Sequence, residues 1–208
     1  MQKVRVTCGP ISPLMMDRMP EEVLDGIAIG VPVARPKDTP PKVIAERALY
    51  SDGNGGFILP IENLWACLIE AGRRVKIGRY TISTAKSTEL YSLISINVLS
   101  LRLLRVTADG TVLDGHPTWV IDKRRGVGKK AGDPVRIVRP KFAEWGFSVE
   151  VEFDEKQKIN ASILQQLFER AGTAVGLCSF RPQKRGPFGR FRVVEWEMLN
   201  GAEPADTR

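Results

Sequence analysis

Residues 176–191 form the segment whose residue types could most clearly do chemistry. The segment combines three glycines, four Lys or Arg residues and three phenylalanines. Glycine lets a backbone approach a phosphate closely, cationic side chains neutralise phosphates, and a phenylalanine ring could stack on a base. We therefore expect a loop that binds a nucleic-acid strand. Its predicted contact residues, with one from the adjoining strand, are Phe180, Arg181, Lys184, Arg185, Phe188, Arg190 and Arg192.

A structural interpretation of the same segment is also open. Phe188 and Phe191 could anchor the loop on the core, while Gly186 and Pro187 only turn the chain. The two interpretations are compatible, because a loop must be anchored before it can present its arginines.

Positive charge is concentrated in two segments of a chain whose net charge is +7. Residues 122–141 hold eight Lys or Arg and two Asp, which gives +6, and residues 180–194 hold five Lys or Arg and no acid, which gives +5. The two segments carry +11, so the rest of the chain carries −4. Concentrated positive charge raises the local concentration of ligands that carry phosphates.

The segment of residues 122–141 is therefore a second predicted contact with a polyanion. Gly126, Gly128 and Gly132 predict that it is flexible and becomes ordered on binding. The alternative is a mobile, solvated loop without a ligand. The predicted contact residues in this segment are Lys123, Arg124, Arg125, Lys129, Lys130 and Arg139.

Catalytic signals are weak by comparison. His116 is the only histidine and is a weak candidate for a general acid or base, which Asp114 could orient. The carboxylates follow no metal-ligand spacing, and neither GxxxxGK[ST] nor GxGxxG occurs. We expect no metal and no cofactor, and we favour a binding protein over an enzyme.

Composition limits the classes of protein to which the chain can belong. A hydrophobic fraction of 43% is typical of a globular protein with a buried core. No stretch reaches the roughly 18 to 20 apolar residues of a membrane span, and the N-terminus has no apolar signal region. We expect a cytoplasmic protein without membrane association. Cys8, Cys67 and Cys178 form no CxxC pair, so we expect small buried hydrophobic residues there.

The elements that must position these segments follow from hydrophobic periodicity. Alternation predicts strands at residues 3–8, 118–121, 135–138, 146–153 and 191–198, with further strand material at 90–106. Apolar spacing predicts one helix that starts near Pro60 and ends near Gly72, and another that Asn160 caps. The apolar positions predicted to face the core are Ile61, Leu64, Trp65, Leu68 and Ile69 in the first helix, and Ile163, Leu164, Leu167, Phe168 and Ala171 in the second.

The element order predicts an α+β protein with a ferredoxin-like or RRM-like βαββαβ core and long insertions. Residues 1–199 are expected to form a single domain, with insertions at about 10–58 and 107–144. The polar residues 200–208 are expected to form a flexible tail.

In its element order and in three short motifs, the chain resembles the RAMP superfamily, the backbone and processing subunits of CRISPR ribonucleoprotein complexes. Residues 9–14, Gly-Pro-Ile-Ser-Pro-Leu, are similar to the turn that follows the family's first strand, and Leu59-Pro60 is similar to its helix entry. Residues 176–190 lie where the family carries a glycine-rich basic loop, between the second helix and the last strand. They depart from it in having Gly-Leu-Cys where the family often has Gly-x-Gly.

The resemblance implies binding of guide RNA or of a single strand, with residues 122–141 as a thumb-like element. It also implies self-assembly or other subunits of a nucleoprotein complex as partners, and it fits a stand-alone or mobile-element-borne relative. We expect a non-catalytic protein that binds RNA or single-stranded DNA. The alternatives are a protein-interaction factor, such as an inhibitor or assembly subunit, and a metal-independent ribonuclease that uses His116.

Overall fold

The computed structural model describes residues 1–31, 38–127 and 134–199. The helices are α1 (Glu21–Ala28), α2 (Pro41–Arg47), α3 (Ile61–Gly72), α4 (Leu90–Leu93) and α5 (Ala161–Arg170). The strands are β1 (Gln2–Pro10), β2 (Leu14–Met15), β3 (Ile58–Pro60), β4 (Lys76–Ile77), β5 (Tyr80–Thr81), β6 (Ile94–Ser95), β7 (Ser100–Arg102), β8 (Arg105–Val106), β9 (Val112–Leu113), β10 (Trp119–Val127), β11 (Pro134–Phe142), β12 (Phe147–Phe153) and β13 (Phe191–Met198). The predicted tail, 200–208, and the predicted contacts Lys129 and Lys130 lie outside the described residues.

The principal sheet has four antiparallel strands in the order β13-β1-β12-β6. Its register pairs Val4 with Val151, Val6 with Val149 and Cys8 with Phe147. All six side chains are buried, because directly opposed residues of an antiparallel pair share one face of the sheet. The alternation in the sequence predicted this buried face, and the structure confirms it.

The helices α3 and α5 pack against each other, and α5 also contacts β13. Their buried side chains belong to the same hydrophobic cluster as those of β1 and β12. The chain order β1, α3, β6, β12, α5, β13 is the βαββαβ order of a ferredoxin-like core. The predicted fold class is therefore confirmed, with β2, α1 and α2 in the first insertion and β9 to β11 in the second.

The start of α5 provides a test of the local structure. The Oδ1 atom of Asn160 accepts a hydrogen bond from the backbone N–H of Ile163 at 2.9 Å, as the predicted N-cap requires. We expect Asn160→Ala to lower the free energy of unfolding by about 1 kcal/mol, and Asn160→Ser, which keeps an acceptor, to lose much less. Urea denaturation followed by circular dichroism measures both. Equal losses in the two variants would contradict the capping role.

The flexible insertion predicted at residues 122–141 is wrong for most of its length. Strands β10 and β11 pair from Trp119 with Phe142 to Val127 with Pro134, and β2 extends the sheet through Phe142 and Lys141. Valine and isoleucine alternate with the charged residues, so the segment has the composition of a half-buried ribbon. Gly128 and Gly132 lie outside the described residues.

The strand predicted at residues 90–106 is broken into shorter elements. It begins with the helical turn α4 and continues as β6, β7 and β8, none longer than three residues. The second helix also continues beyond Ala171, the last apolar position predicted for it, because residues 171–175 form a π-helical turn before Gly176. In the described part of the chain, no helix is long and apolar enough to cross a membrane.

Candidate nucleic-acid interface

The loop between α5 and β13, residues 176–190, is closed by its own backbone. Leu177 donates to the carbonyl of Gly189 at 2.9 Å, Phe188 to that of Phe180 at 3.2 Å and Gly186 to that of Arg181 at 3.0 Å. Two further hydrogen bonds tie it to the segment around β2, from Gly189 to the carbonyl of Pro13 and from Ser179 to that of Met15. We call residues 176–190 the glycine-rich loop. These hydrogen bonds make it an ordered element of the fold.

The glycines are required by this closure. A Cβ atom on Gly186 would lie 1.9 Å from the carbonyl oxygen of Phe180, and one on Gly189 would lie 2.0 Å from that of Leu177. Gly189 also has a φ of +67°, in the left-handed region that favours glycine. The sequence suggested that these glycines give room to a phosphate, whereas the structure shows that they give room to the loop's own backbone.

The two phenylalanines of the loop and Phe191, the first residue of β13, have different surroundings. Phe191 is fully buried and its ring lies 5.3 Å from that of Phe147, so it anchors the loop on the core. Phe188 is 8% exposed, which leaves little of its ring for a base. Phe180 is 38% exposed and is the ring of this loop that remains open to stacking. Phe191 thus anchors the loop on the core, while Phe180 presents its ring to solvent.

Arg124 joins the β10–β11 hairpin to the glycine-rich loop. Its guanidinium carbon lies 4.4 Å from the ring centroid of Phe188 and 5.6 Å from that of Phe180, within the range of a cation–π contact. Its Nε also donates to the carboxylate of Asp122 at 2.5 Å. Hydrogen bonds from Arg124 and then from Lys141 lower the pKa of Asp122. Arg124 and Phe188 are 64 residues apart in the sequence, so the two basic segments meet in space only through the fold.

A groove of about 400 Å³ lies beside this junction. It contains three cations and one carboxylate, together with the exposed ring of Phe180, and its volume is within the range of small-ligand sites. The lining residues are Asp17, Tyr50, Arg139, Cys178, Ser179, Phe180, Arg181 and Lys184. Asp17 and Tyr50 come from the first insertion, and no sequence motif marks them.

Five of the predicted phosphate contacts are already engaged within the protein. Arg124 pairs with Asp122, and Arg139 donates to Asp17 at 2.6 Å. The other three donate to backbone carbonyls: Arg181 to Cys178 at 2.5 Å, Arg190 to Thr173 at 3.1 Å and Arg192 to Ala108 at 2.7 Å. These arginines hold the loop and hairpin in place, and each retains other N–H groups, since a guanidinium has five.

Four predicted contacts have no such engagement. Lys123 and Arg125 in β10, and Lys184 and Arg185 in the loop, are exposed. Their side chains make no ion pair or hydrogen bond with any residue that the structure describes. We call these four residues the unpaired cations. Their positive charge is available to a ligand without breaking an internal contact.

The hairpin distributes its cations over two faces. Directly opposed residues share a face, so Asp122, Arg124 and Arg139 lie on the face that meets the glycine-rich loop. Lys123 and Arg125 lie on the other face, opposite Val138 and Arg136. Val138 is buried, and β11 contacts α2. The structure therefore brings Arg124 and Arg139 to the groove, but it directs Lys123 and Arg125 away from it.

The outer face of the principal sheet has the opposite charge. Lys3 and Arg5 lie among four glutamates of β12 and β13, namely Glu150, Glu152, Glu195 and Glu197. Arg5 bonds both Glu150 and Glu197 at 2.8 Å, and Lys3 bonds Glu150 at 2.8 Å. This part of the face has an excess of two negative charges, so it disfavours a strand of nucleic acid.

His116 has few of the contacts that a general acid or base needs. It is exposed in the turn before β10, and no hydrogen bond joins it to Asp114 in the described part of the chain. Backbone N–H groups of Asn54 and Gly56 lower the pKa of Asp52, and the proximity of His116 lowers it further. Among the described residues, no group of three His, Cys, Asp or Glu is arranged to hold a metal ion.

The three thiols are buried, as predicted, and none is in a disulfide. Burial raises the pKa of Cys67 and of Cys178 to about 12, and it also raises that of Cys8 well above its usual value. We expect the folded protein to react with a thiol reagent such as DTNB at pH 8 far more slowly than the urea-unfolded protein, because only the thiolate is nucleophilic. A fast-reacting thiol in the folded protein would contradict this burial.

One basic segment escaped the sequence analysis. Residues 73–79 hold four Lys or Arg and no acid, a composition comparable in density with the two segments already described. The segment follows directly on α3 and contains β4. In the sequence, its charges are typical of the solvent-exposed end of a helix. In the fold, its residues Arg74 and Val75 line a groove together with residues of α5.

Comparison with known proteins adds no assignment to this site. No family model matches the chain, and no curated protein is similar to it. The geometry and charge of the glycine-rich loop and the β10–β11 hairpin therefore carry the functional proposal.

Proposed function

We propose that this protein binds RNA or single-stranded DNA without catalysing a reaction on it. The observation that carries the proposal is the contact of Arg124 with Phe188 and Phe180, which joins two basic segments around one groove. In this proposal Phe180 stacks on a base, while Lys184 and Arg185 neutralise phosphates. Arg139 and Arg181 line the groove and offer their remaining N–H groups.

A single strand suits the groove better than a duplex does. Stacking on Phe180 requires a base with an open face, which a strand without a partner provides. The acidic outer face of the sheet makes an RRM-like mode of binding across the strands unfavourable. Sequence-specific readout is not part of the proposal, because the contacts available are to phosphates and to the face of a base.

The proposal keeps the expectation of a RAMP-like protein that acts in the cytoplasm, alone or as a subunit of a nucleoprotein complex. The ferredoxin-like core and the position of the glycine-rich loop between α5 and β13 support it. A self-assembled or multi-subunit complex would be consistent with the unpaired cations on the far face of the hairpin, which lie outside the groove.

Those same far-face cations favour the second candidate, a protein-interaction factor. Lys123, Arg125 and Arg136 could meet an acidic protein surface. In that case the hairpin would recognise protein, and binding to nucleic acid would be weak.

Binding of labelled oligouridylate and oligothymidylate, measured by anisotropy over a range of salt concentrations, tests the proposal. We expect the logarithm of the association constant to fall linearly with the logarithm of salt, by about 0.7 per neutralised phosphate. A duplex of the same length is the control, and we expect it to bind more weakly. No binding at about 50 mM salt, or binding that does not depend on salt, would rule out the nucleic-acid function.

A further inference from the structure

A third basic surface lies at the β4–β5 hairpin, which follows α3. Arg73 is bound to Glu70 at 3.1 Å, but Arg74, Lys76 and Arg79 are exposed. Their side chains form no ion pair or hydrogen bond with the residues that the structure describes. This hairpin therefore presents three free positive charges on a short, defined element.

The same hairpin displays an aromatic ring. Tyr80 is 78% exposed, although its partner in the register, Ile77, is partly buried against the core. The turn between the strands is tight, with Gly78 in the left-handed region at a φ of +60°. An exposed ring on a fixed turn, next to free cations, has the composition of surfaces that bind single strands by stacking and charge.

A second groove lies between the residues that precede β4 and the end of α5. It has a volume of about 540 Å³ and runs from Arg74 to the end of α5, where Arg170 and Thr173 line it. The carbonyl of Thr173 accepts the hydrogen bond from Arg190, a residue of the loop. Glu169 is the one acid among the groove's lining residues, against the two cations Arg74 and Arg170.

We infer that a bound strand continues from the glycine-rich loop across the end of α5 to the β4–β5 hairpin, where Tyr80 stacks on a base and Lys76 and Arg79 hold phosphates. The inference rests on the proposed function and extends it, because it gives the ligand a path and a minimum length. Strands that fill only the first groove would not reach Tyr80.

The experiment compares variants over a series of oligouridylates from about 4 to about 20 nucleotides, which brackets the usual sites on single-strand-binding domains. The variants are Tyr80→Ala and the double variant Lys76→Gln/Arg79→Gln. Tyr80→Phe keeps the ring, and Lys156→Gln/Lys158→Gln removes the same charge from the exposed turn after β12. Thermal unfolding checks that each variant is folded.

We expect Tyr80→Ala to lose about tenfold in affinity for long strands and nothing for short ones. The Lys76→Gln/Arg79→Gln variant should reach its plateau at a shorter strand length, with a salt slope smaller by about 1.4, or about 0.7 for each lost phosphate contact. The two control variants should behave like the wild type.

The outcomes separate the inference from the proposed function. If the wild type binds no strand, the proposed function fails. If the wild type binds but both variants match it at every length, the inference alone is overturned. If the two variants bind strands as the wild type does but bind vesicles of anionic lipid more weakly than the wild type, the inference is also overturned. The hairpin would then be assigned to a membrane surface.

Discussion

Replacing the four unpaired cations by glutamine, as Lys123→Gln/Arg125→Gln/Lys184→Gln/Arg185→Gln, is expected to reduce affinity for a single strand about 25-fold at about 0.1 M salt, mainly through the loop pair Lys184 and Arg185. Each phosphate contact contributes about 0.7 to the salt slope, so the loop pair contributes about 1.4, and the far-face pair adds only longer-range attraction. The folded state should lose little stability, because these side chains make no internal contact in the described part of the chain. Anisotropy against salt and urea denaturation measure the two quantities.

The engaged arginines provide the matched control. Arg139→Gln/Arg181→Gln/Arg190→Gln/Arg192→Gln removes the same formal charge, but each of these side chains also bonds another part of the fold. We expect this variant to lose stability as well as affinity. If the unpaired-cation variant keeps both its affinity and its salt slope, the assignment of those cations to phosphates is wrong.

Testing each half of the unpaired set refines the result. The loop pair Lys184 and Arg185 adjoins the groove, whereas Lys123 and Arg125 lie on the far face of the hairpin. A loss confined to the loop pair would leave the hairpin's far face for another partner, as the protein-interaction alternative requires.

The second large effect is expected from Gly172→Ala. A Cβ atom at this position would lie 2.0 Å from the carbonyl oxygen of Phe191 and 2.7 Å from the carbonyl carbon. Both atoms belong to the backbone of β13, so the clash cannot be relieved by turning a side chain. The π-helical turn of residues 171–175 and β13 must separate. We expect a loss of about 3 kcal/mol in the free energy of unfolding, at the upper end of overpacking effects.

Gly115→Ala is the control for that substitution. Gly115 has a φ of +85°, and a Cβ there meets no atom within 4 Å. Its cost is therefore conformational alone, about 1 kcal/mol. Urea denaturation of both variants checks the comparison, and a Gly172→Ala protein as stable as the Gly115→Ala protein would show that the turn adapts to the extra methyl group.

The core of the fold could be predicted because its strands and helices have one buried face. Phe147, Val149, Val151 and Phe153 alternate inward as their spacing requires, and β13 begins and ends where the sequence pattern does. Strands at residues 118–121 and 135–138 were predicted, but their pairing in the longer β10–β11 hairpin was not, since residues 122–134 are mostly glycine and charged residues. The order of this hairpin comes from pairing with β2 and packing on α2, which lie more than 70 residues earlier in the chain.

The sequence also identified two basic segments, residues 122–141 and 180–194. It could not show whether each cation is free or already bonded within the protein. Whether an arginine is free or engaged depends on partners such as Asp17 for Arg139, 122 residues apart. The role of the loop glycines was misjudged for the same reason, because the carbonyls that crowd Gly186 and Gly189 are brought there by the closed loop. A pattern along the chain indicates composition, and only the fold decides which charge faces solvent.

The acidic outer face of the principal sheet has a consequence for how the protein meets a ligand. Glutamates lie on that face, the unpaired cations lie on the loop and the β10–β11 hairpin, and further exposed cations lie at the β4–β5 hairpin, so the described residues carry separated charge. A polyanion that approaches from the sheet side is repelled, and the molecular dipole turns the basic side toward it. Encounters are then oriented before contact, so the association rate should fall with added salt, and charge reversal of Glu195 or Glu197 to lysine should admit misoriented complexes.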